Sequence, residues 1–234
     1  MSGNAFVALD VETANADSSS ICQIGVVTFE NSVVADTWVS FVNPEDEFDE
    51  FNVSIHGISE DDVIDAPTFL SIATHLDQLI ADRIVVCHTG FDRAALSRAY
   101  AKHGLSIPEC CWLDSARVLL RALSQFERKG YGLANLAEWC GISFSHHDAC
   151  EDARATGLVL IKAIDDTGTA CHSRHATRSR RPPRKDRPDY AVGLLPDCER
   201  QRPRQGLPGV SRFCERAETT SAAGSLHPTI RLSD

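Results

Sequence analysis

Three apolar stretches follow one another closely at the start of the chain. Ala5–Leu9, Ile21–Phe29 and Val33–Val42 are rich in β-branched and aromatic residues, a composition that is typical of strands. Strands joined by such short connections favour antiparallel pairing. We therefore predict an antiparallel meander, with a polar loop over Thr13–Ser20 near the end of the first strand.

The pattern changes after Ala66-Pro67, where apolar residues recur at intervals of three and four, as on one face of a helix. The pattern predicts a helix from Ala66 to about Ala81, a strand over Arg83–His88 and a helix over Phe91–His103. It then predicts a strand over Pro108–Leu113, followed by a helix to about Leu123, and two further helices over Leu133–Cys140 and Asp148–Ile164. Three strands followed by alternating helices and strands predict an α/β fold. Its mixed five-stranded sheet would have three antiparallel strands and then parallel strands, flanked by helices.

The regular periodicity ends near Thr167. Beyond it lie seven of the ten prolines and 13 of the 23 lysines and arginines, against 7 acidic residues. Such a segment buries too little apolar surface to offset the entropy of ordering it. We predict one folded domain over residues 1–166 and a basic, Arg/Pro-rich, disordered tail over residues 167–234. The tail either adds affinity for phosphate or is an inert extension.

The first 166 residues carry the acidic charge of the protein, with 10 basic and 26 acidic residues. Such a body binds nucleic acid poorly by itself, because phosphates need cations. It is compatible with an enzyme that recruits a divalent metal to meet phosphate. No apolar run approaches the ~18–20 residues of a membrane span, and the first residues lack a signal-peptide pattern. We expect a cytoplasmic protein without membrane contact.

Asp10 and Glu12 form the first candidate cluster, at the end of the first predicted strand. Residues two apart in a strand point to the same face. Two like charges there repel each other, and a divalent metal would remove the conflict. The alternative is an acidic pair on a solvated strand end.

Asp92 belongs to a second cluster, His88-Thr89-Gly90-Phe91-Asp92, between a predicted strand and a predicted helix. With Thr89 as the N-cap, Asp92 would occupy the third helical position. An acid is favoured there by the helix dipole and the free N–H groups, so helix capping alone explains Asp92.

A third cluster opens the last predicted helix. Asp148 and Glu151 fit the N-cap and third positions of this helix, so we expect structural roles for both. His147 would then lie just outside the helix, while Asp152 can face the sheet. A histidine at this junction suits a general base beside a metal ligand. We expect His146 to be simply exposed.

The three clusters together predict a metal site. Four carboxylates brought together without a cation would be very costly. Hard divalent cations prefer oxygen ligands, and two Mg²⁺ or Mn²⁺ ions about 3.5–4 Å apart are a common solution. The sequence therefore predicts two such ions as cofactors.

These clusters resemble the motifs of the DEDDh exonucleases, the family of the proofreading subunit of bacterial DNA polymerase III. The motifs are Asp10-x-Glu12-Thr13, His88-Thr89-Gly90-Phe91-Asp92 and His147-x-Ala149-x-x-Asp152. The resemblance covers about residues 5–165. It departs from the family in the second motif, which often has Asn-Ala where this chain has Thr89-Gly90.

The resemblance implies an RNase H-like fold and a hydrolase that releases nucleoside 5′-monophosphates from a 3′ end. The metal ligands that it implies are Asp10, Glu12, Asp92 and Asp152. It also implies that His147 deprotonates the attacking water, and that Thr13 and His56 lie near the terminal nucleotide. The implied partners are nucleic acid with a free 3′ end, single-stranded DNA above all, and a replication or repair protein.

Three alternatives remain open at the level of sequence. The same motifs suit an exoribonuclease that acts on RNA ends or short oligoribonucleotides. A nuclease fold can also bind nucleic acid without cutting it. A zinc site is the third alternative, formed by Cys110, Cys111, His146 and His147, although their spacing matches no standard zinc pattern.

Overall fold

The computed structural model describes residues 5–167 and the backbone of residues 199–200. Its central sheet contains β1 (Ala5–Thr13), β2 (Ile21–Glu30), β3 (Val33–Phe41), β4 (Ile84–Cys87) and β5 (Cys111–Asp114). The strands lie in the order β3-β2-β1-β4-β5. The first three pair antiparallel, and β4 and β5 run parallel to β1. The predicted mixed five-stranded sheet is confirmed.

A sixth strand, β6 (Glu199–Arg200), pairs antiparallel with β5 at the edge of the sheet. The sequence pattern did not predict this two-residue strand. The rest of the predicted tail, and with it the prediction of disorder, lies outside the described residues.

The helices flank the sheet. They are α1 (Glu50–His56), α2 (Glu60–Val63), α3 (Phe69–Ile80), α4 (Phe91–Lys102), α5 (Ser115–Ala122), α6 (Leu133–Cys140) and α7 (Ala149–Thr167), with a 3₁₀ turn over Ser124–Phe126. Helices α3 to α7 were predicted, and α3 begins three residues later than expected because Thr68 is its N-cap. In the part of the chain that the structure describes, no helix combines the length and the apolar character of a membrane span.

Helices α1 and α2 were missed because periodicity gave no signal for them. No residue of α1 is buried, so its sequence carries no apolar stripe. The signal lay in the caps instead. The Asp49 carboxylate accepts a hydrogen bond from the Phe51 N–H, and Gly57 ends α1 in the left-handed region at φ 75°, a common helix terminator.

The alternation of side chains along β1 decides where its acids point. Leu9 and Val11 pack in the core cluster beneath α3 and α4, whereas Ala8 packs in the cluster beneath α7. Successive residues of a strand face opposite sides of the sheet. Asp10 and Glu12 therefore continue the series of Ala8 and lie on the α7 side.

Strand β2 fixes the start of α7 against the sheet. The Gln23 side-chain oxygen accepts a hydrogen bond of 2.9 Å from the Ala149 N–H. Gly25 lies opposite Asp10 in the strand register. A Cβ at Gly25 would lie 2.3 Å from the Ala149 carbonyl oxygen and 2.4 Å from the Cys150 nitrogen. Only glycine therefore allows the first turn of α7 to approach β2 this closely.

We expect Gly25→Ala to lower the free energy of unfolding by about 1–3 kcal/mol, the usual cost of overpacking a core. The added methyl meets backbone atoms, which cannot rotate away. Gly132→Ala is the matched control, because nothing lies within 4 Å of its added Cβ. Urea unfolding of both variants measures the difference, and equal losses of stability would contradict the packing argument.

Candidate active site

The acids of β1 meet the first turn of α7. Asp10, Glu12 and Asp152 each bring a carboxylate oxygen within 4.8 Å of the others. Glu12 and Asp152 are buried, with exposed fractions of 9% and 3%. Asp148 caps α7, because its carboxylate accepts hydrogen bonds from the backbone N–H groups of residues 150 and 151. This predicted cap fixes Asp152 on the inner side of the helix.

Asp92 enters the same cleft from α4. Its side chain is buried, and its Oδ1 lies 3.3 Å from the Val11 nitrogen, which donates a hydrogen bond. The predicted helix position was wrong by one. Helix α4 begins at Phe91 with Gly90 as its N-cap, so Asp92 is the second helical residue and not the third.

Thr89 explains the shift of this cap. Its backbone lies in the left-handed region, at φ 80°, whereas an N-cap residue typically has an extended backbone. A β-branched residue in this region is strained. The Thr89 hydroxyl accepts a long hydrogen bond of 3.4 Å from the Phe91 N–H. Asparagine, common at this position in the DEDDh pattern, tolerates the left-handed region better.

We therefore expect Thr89→Asn to raise the free energy of unfolding by about 1 kcal/mol, the scale of one strained backbone position. The amide oxygen of asparagine can keep the hydrogen bond to residue 91. Thr68→Asn is the control, because Thr68 also precedes a helix but has an ordinary φ of −71°. Thermal unfolding of both variants checks this, and an unchanged or lowered stability for Thr89→Asn would contradict it.

His147 lies in the loop before α7, with its backbone at φ 67°. Its backbone N–H donates a hydrogen bond of 2.9 Å to Asp152 Oδ2. Its ring nitrogen Nδ1 lies 3.9 Å from Glu12 Oε1, and 41% of its side chain is exposed. Burial, together with the neighbouring His146, lowers the pKa of the His147 ring. A neutral imidazole in this position can accept a proton.

His146 has more contacts than the sequence predicted. It is exposed, as expected, but its Nδ1 lies 2.9 Å from Asp152 Oδ1. Its ring also stacks on the ring of His147, with the centroids 4.0 Å apart and the planes at 17°. His146 therefore belongs to the wall of the cleft.

Thr13 and His56 line the same cleft. Ring nitrogen Nδ1 of His56 accepts a hydrogen bond from the Ile58 N–H, so Nε2 carries the proton and donates it to the Thr13 carbonyl oxygen, 3.2 Å away. Burial lowers the pKa of His56. Asn52, which the sequence analysis did not identify, donates to the same carbonyl oxygen at 2.8 Å. Its only sequence signal was its place four residues before His56.

The cleft has a volume of about 400 Å³ and combines acids with apolar side chains. Phe91 is 49% exposed and lines the cleft together with Ile55 and Leu133. Among the residues that the structure describes, no lysine or arginine lines it. The acids therefore have no side-chain cation within the cleft to balance them.

The pKa values of the acids reflect their burial and the repulsion between neighbouring carboxylates. Burial raises the pKa of Asp10 well above its usual range, and Asp92 and Asp152 add to the effect. Burial and the Asp152 charge raise the pKa of Glu12 to about 8. Burial raises the pKa of Asp92 to about 7, although its backbone hydrogen bonds act in the opposite direction. Oxygen donors this close together and this short of positive charge fit a hard divalent cation.

We expect the metal-free protein to lose stability as the pH rises. Glu12 titrates near its ordinary 4.5 in the unfolded chain and near 8 in the folded one. Between these values the folded state holds a proton that the unfolded state has released, so folding is opposed by about 1.4 kcal/mol per pH unit. Unfolding of EDTA-treated protein from pH 5 to 8 measures this. Adding Mg²⁺ should restore the stability lost at pH 8. A free energy of unfolding that stays constant from pH 5 to 8 would contradict this expectation.

The geometry contradicts the alternative of a zinc site. Within residues 5–167, the groups close enough to share an ion are Asp10–Glu12–Asp152 and His146–His147–Asp152. Cys110 packs instead in the core cluster on the α3 and α4 side of the sheet. The histidines and Cys110 therefore lie on opposite sides of the sheet.

Comparison with known proteins identifies the family of the chain. A family model described as exonuclease (RNase_T) matches residues 7–160. The PolC-type DNA polymerase III of Caldanaerobacter subterraneus subsp. tengcongensis is 33% identical over 164 residues, which are 68% of this chain and 12% of that protein. The chain thus spans only a small part of the length of this relative.

Solved structures agree on the fold. Exonuclease X in complex with 5′-overhanging duplex DNA aligns with a TM-score of 0.57 and 19% identity, covering 70% of this chain and 94% of that one. The nuclease domain of 3′hExo, a DEDDh family member bound to rAMP, aligns with a TM-score of 0.58 and 18% identity, covering 70% and 93%. The predicted RNase H-like fold and the predicted resemblance are both confirmed, and the chain belongs to the exonuclease family.

Proposed function

We propose that this protein is a metal-dependent 3′–5′ exonuclease that releases nucleoside 5′-monophosphates from DNA ends. The observation that carries the proposal is the meeting of Asp10, Glu12 and Asp152 within 4.8 Å, in a cleft that Asp92 also lines. These four acids would hold two Mg²⁺ or Mn²⁺ ions. When bound, the ions supply Lewis-acid chemistry that offsets charge on the phosphodiester.

His147 acts as the general base in this proposal. It lies beside Glu12 and Asp152, and its lowered pKa keeps the ring neutral near pH 7. The ring takes a proton from water as the water oxygen attacks phosphorus. The bond from phosphorus to the 3′ oxygen breaks, and this oxygen takes a proton from solvent to become the 3′ hydroxyl of the shortened strand. The released nucleoside keeps the phosphate, and His147 returns its proton to solvent.

Thr13 and His56 would border the terminal nucleotide. Both ring nitrogens of His56 are engaged with backbone groups, so we assign it to shaping the subsite through its ring surface. The exposed faces of Ile55 and Phe91 offer an apolar surface for a base in the same cleft. A base stacked on an aromatic side chain is stabilised without regard to sequence.

We favour DNA over RNA as substrate, because the PolC-type relative is a DNA polymerase. The same comparison supports a replication or repair protein as partner, and we propose a cytoplasmic location. RNA is the second candidate, since the 3′hExo domain binds rAMP and a related 3′-exonuclease recognises a histone mRNA stem-loop. The two candidates differ in contacts to the 2′ hydroxyl.

The deciding experiment compares matched DNA and RNA strands of one sequence, single-stranded and duplex, each labelled at the 5′ or the 3′ end. We expect Mn²⁺-dependent shortening from the 3′ end, with single-stranded DNA as the fastest substrate. Faster trimming of RNA would transfer the proposal to the exoribonuclease. Binding without cleavage of any strand would leave a binding module.

A further inference from the structure

We propose that His146 is a positioning residue that holds Asp152 and His147 in one fixed arrangement. The inference rests on the proposed function and deepens it, because neither the motif pattern nor the mechanism above uses His146. It concerns the wall of the cleft between the end of β1 and the first turn of α7.

Two kinds of contact tie His146 to its neighbours. Its Nδ1 lies 2.9 Å from Oδ1 and 3.2 Å from Oδ2 of Asp152, and because a carboxylate only accepts, Nδ1 is the donor. One side of its ring stacks on His147 at 4.0 Å. Phe144 also contacts the ring, with centroids 5.4 Å apart and planes at 58°. His146 is thereby held between Phe144, His147 and Asp152.

The hydrogen bond from His146 orients Asp152, which is a proposed metal ligand. A carboxylate has about four acceptor positions. The His146 ring and the backbone N–H of His147 occupy the side of Asp152 that faces the loop. This leaves acceptor positions of the carboxylate free toward Asp10 and Glu12. Hydrogen bonds of this kind fix the direction of a ligating group, so His146 would orient Asp152 without competing for an ion.

The stacked ring of His146 also restricts the side chain of His147. It stands in a loop with a left-handed backbone, and its ring is 3.9 Å from Glu12, too far for a hydrogen bond. The parallel stack on His146 restricts rotation of the His147 ring. A general base must stay within hydrogen-bond reach of its proton, so restricting the ring favours the reactive orientation.

Three substitutions of His146 separate its hydrogen bond to Asp152 from its stacking on His147. His146→Asn keeps an N–H donor close to the position of Nδ1 but removes the ring. His146→Phe keeps the ring and removes the donor. His146→Ala removes both. The readouts are Mn²⁺ affinity, measured by electron paramagnetic resonance without substrate, and separate values of kcat and KM.

We expect His146→Phe and His146→Ala to weaken Mn²⁺ binding by about 10–100-fold, the usual effect of losing a partner of a metal ligand. His146→Asn should bind Mn²⁺ like the wild type but lower kcat about tenfold, the scale of one aromatic contact at its upper limit. KM should change in none of them. In a His147→Ala background, His146→Asn should have no further effect on kcat.

Unchanged Mn²⁺ affinity and unchanged kcat in folded His146→Ala would overturn the inference. A change in KM alone would also overturn it, because His146 would then contact substrate. Circular dichroism and thermal unfolding establish that each variant folds. If the wild type binds Mn²⁺ but cleaves nothing, the proposed function fails while the Mn²⁺ measurements still test the link to Asp152.

Discussion

Replacing His147 with alanine is expected to lower kcat by about 10²–10⁴-fold, the usual contribution of a general base. Nδ1 of the His147 ring lies 3.9 Å from Glu12 Oε1, and a ring nitrogen lies within 4.8 Å of the Asp152 carboxylate. Burial keeps the pKa of the ring below the usual range. Because the base must be unprotonated, wild-type kcat should rise with pH and level off at a lower pH than an ordinary histidine would give. The alanine variant should lack this rise.

Single-turnover cleavage of a labelled DNA strand at saturating Mn²⁺ between pH 5 and 8 measures both effects. Mn²⁺ affinity is the internal control, because His147 is not among the proposed ligands and its loss should leave metal binding nearly intact. A His147→Ala rate within a few-fold of the wild type, with the same pH profile, would remove His147 from the mechanism.

Replacing Asp10 with asparagine is expected to change activity and metal-free stability in opposite directions. Activity should fall by about 10³-fold or more, since metal chemistry supplies several kcal/mol and each 1.36 kcal/mol is tenfold in rate. The metal-free protein should become more stable near pH 8. The asparagine side chain has nearly the same shape as that of Asp10, but it carries no charge for burial, Asp92 and Asp152 to destabilise.

Asp61→Asn is the matched control for this substitution. Asp61 is exposed in the first turn of α2, away from the cleft, so both activity and stability should stay close to the wild type. A simple structural role for Asp10 predicts that both quantities fall together. That outcome would contradict a site built to receive cations.

Periodicity along the chain was enough to predict the sheet and the larger helices. The alternation in β1 also placed Asp10 and Glu12 on one face, because a strand repeats every two residues. These predictions depend only on local pattern and on which face is apolar. No residue of α1 is buried, and α2 has four residues with only Val63 buried. Neither helix therefore shows the apolar stripe that this reasoning detects.

The finer details of the cleft depended on tertiary geometry. The left-handed backbone of Thr89 shifted the cap of α4 by one residue. Phe91 stands in the first turn of α4, and its side chain is half exposed and lines the cleft. The contact of His146 with Asp152 requires the loop before α7 to fold back onto its own helix. No spacing rule encodes such a turn, which includes the left-handed backbone of His147 at φ 67°.

The most direct test of the account follows Mn²⁺ occupancy and DNA cleavage in one titration of EDTA-treated protein. We expect cleavage to be absent without metal and to rise with occupancy of the carboxylate site. We also expect Asp10→Asn to lose Mn²⁺ binding and cleavage together. Removal of 3′-terminal nucleotides at full rate in EDTA, or by a protein that binds no Mn²⁺, would contradict it.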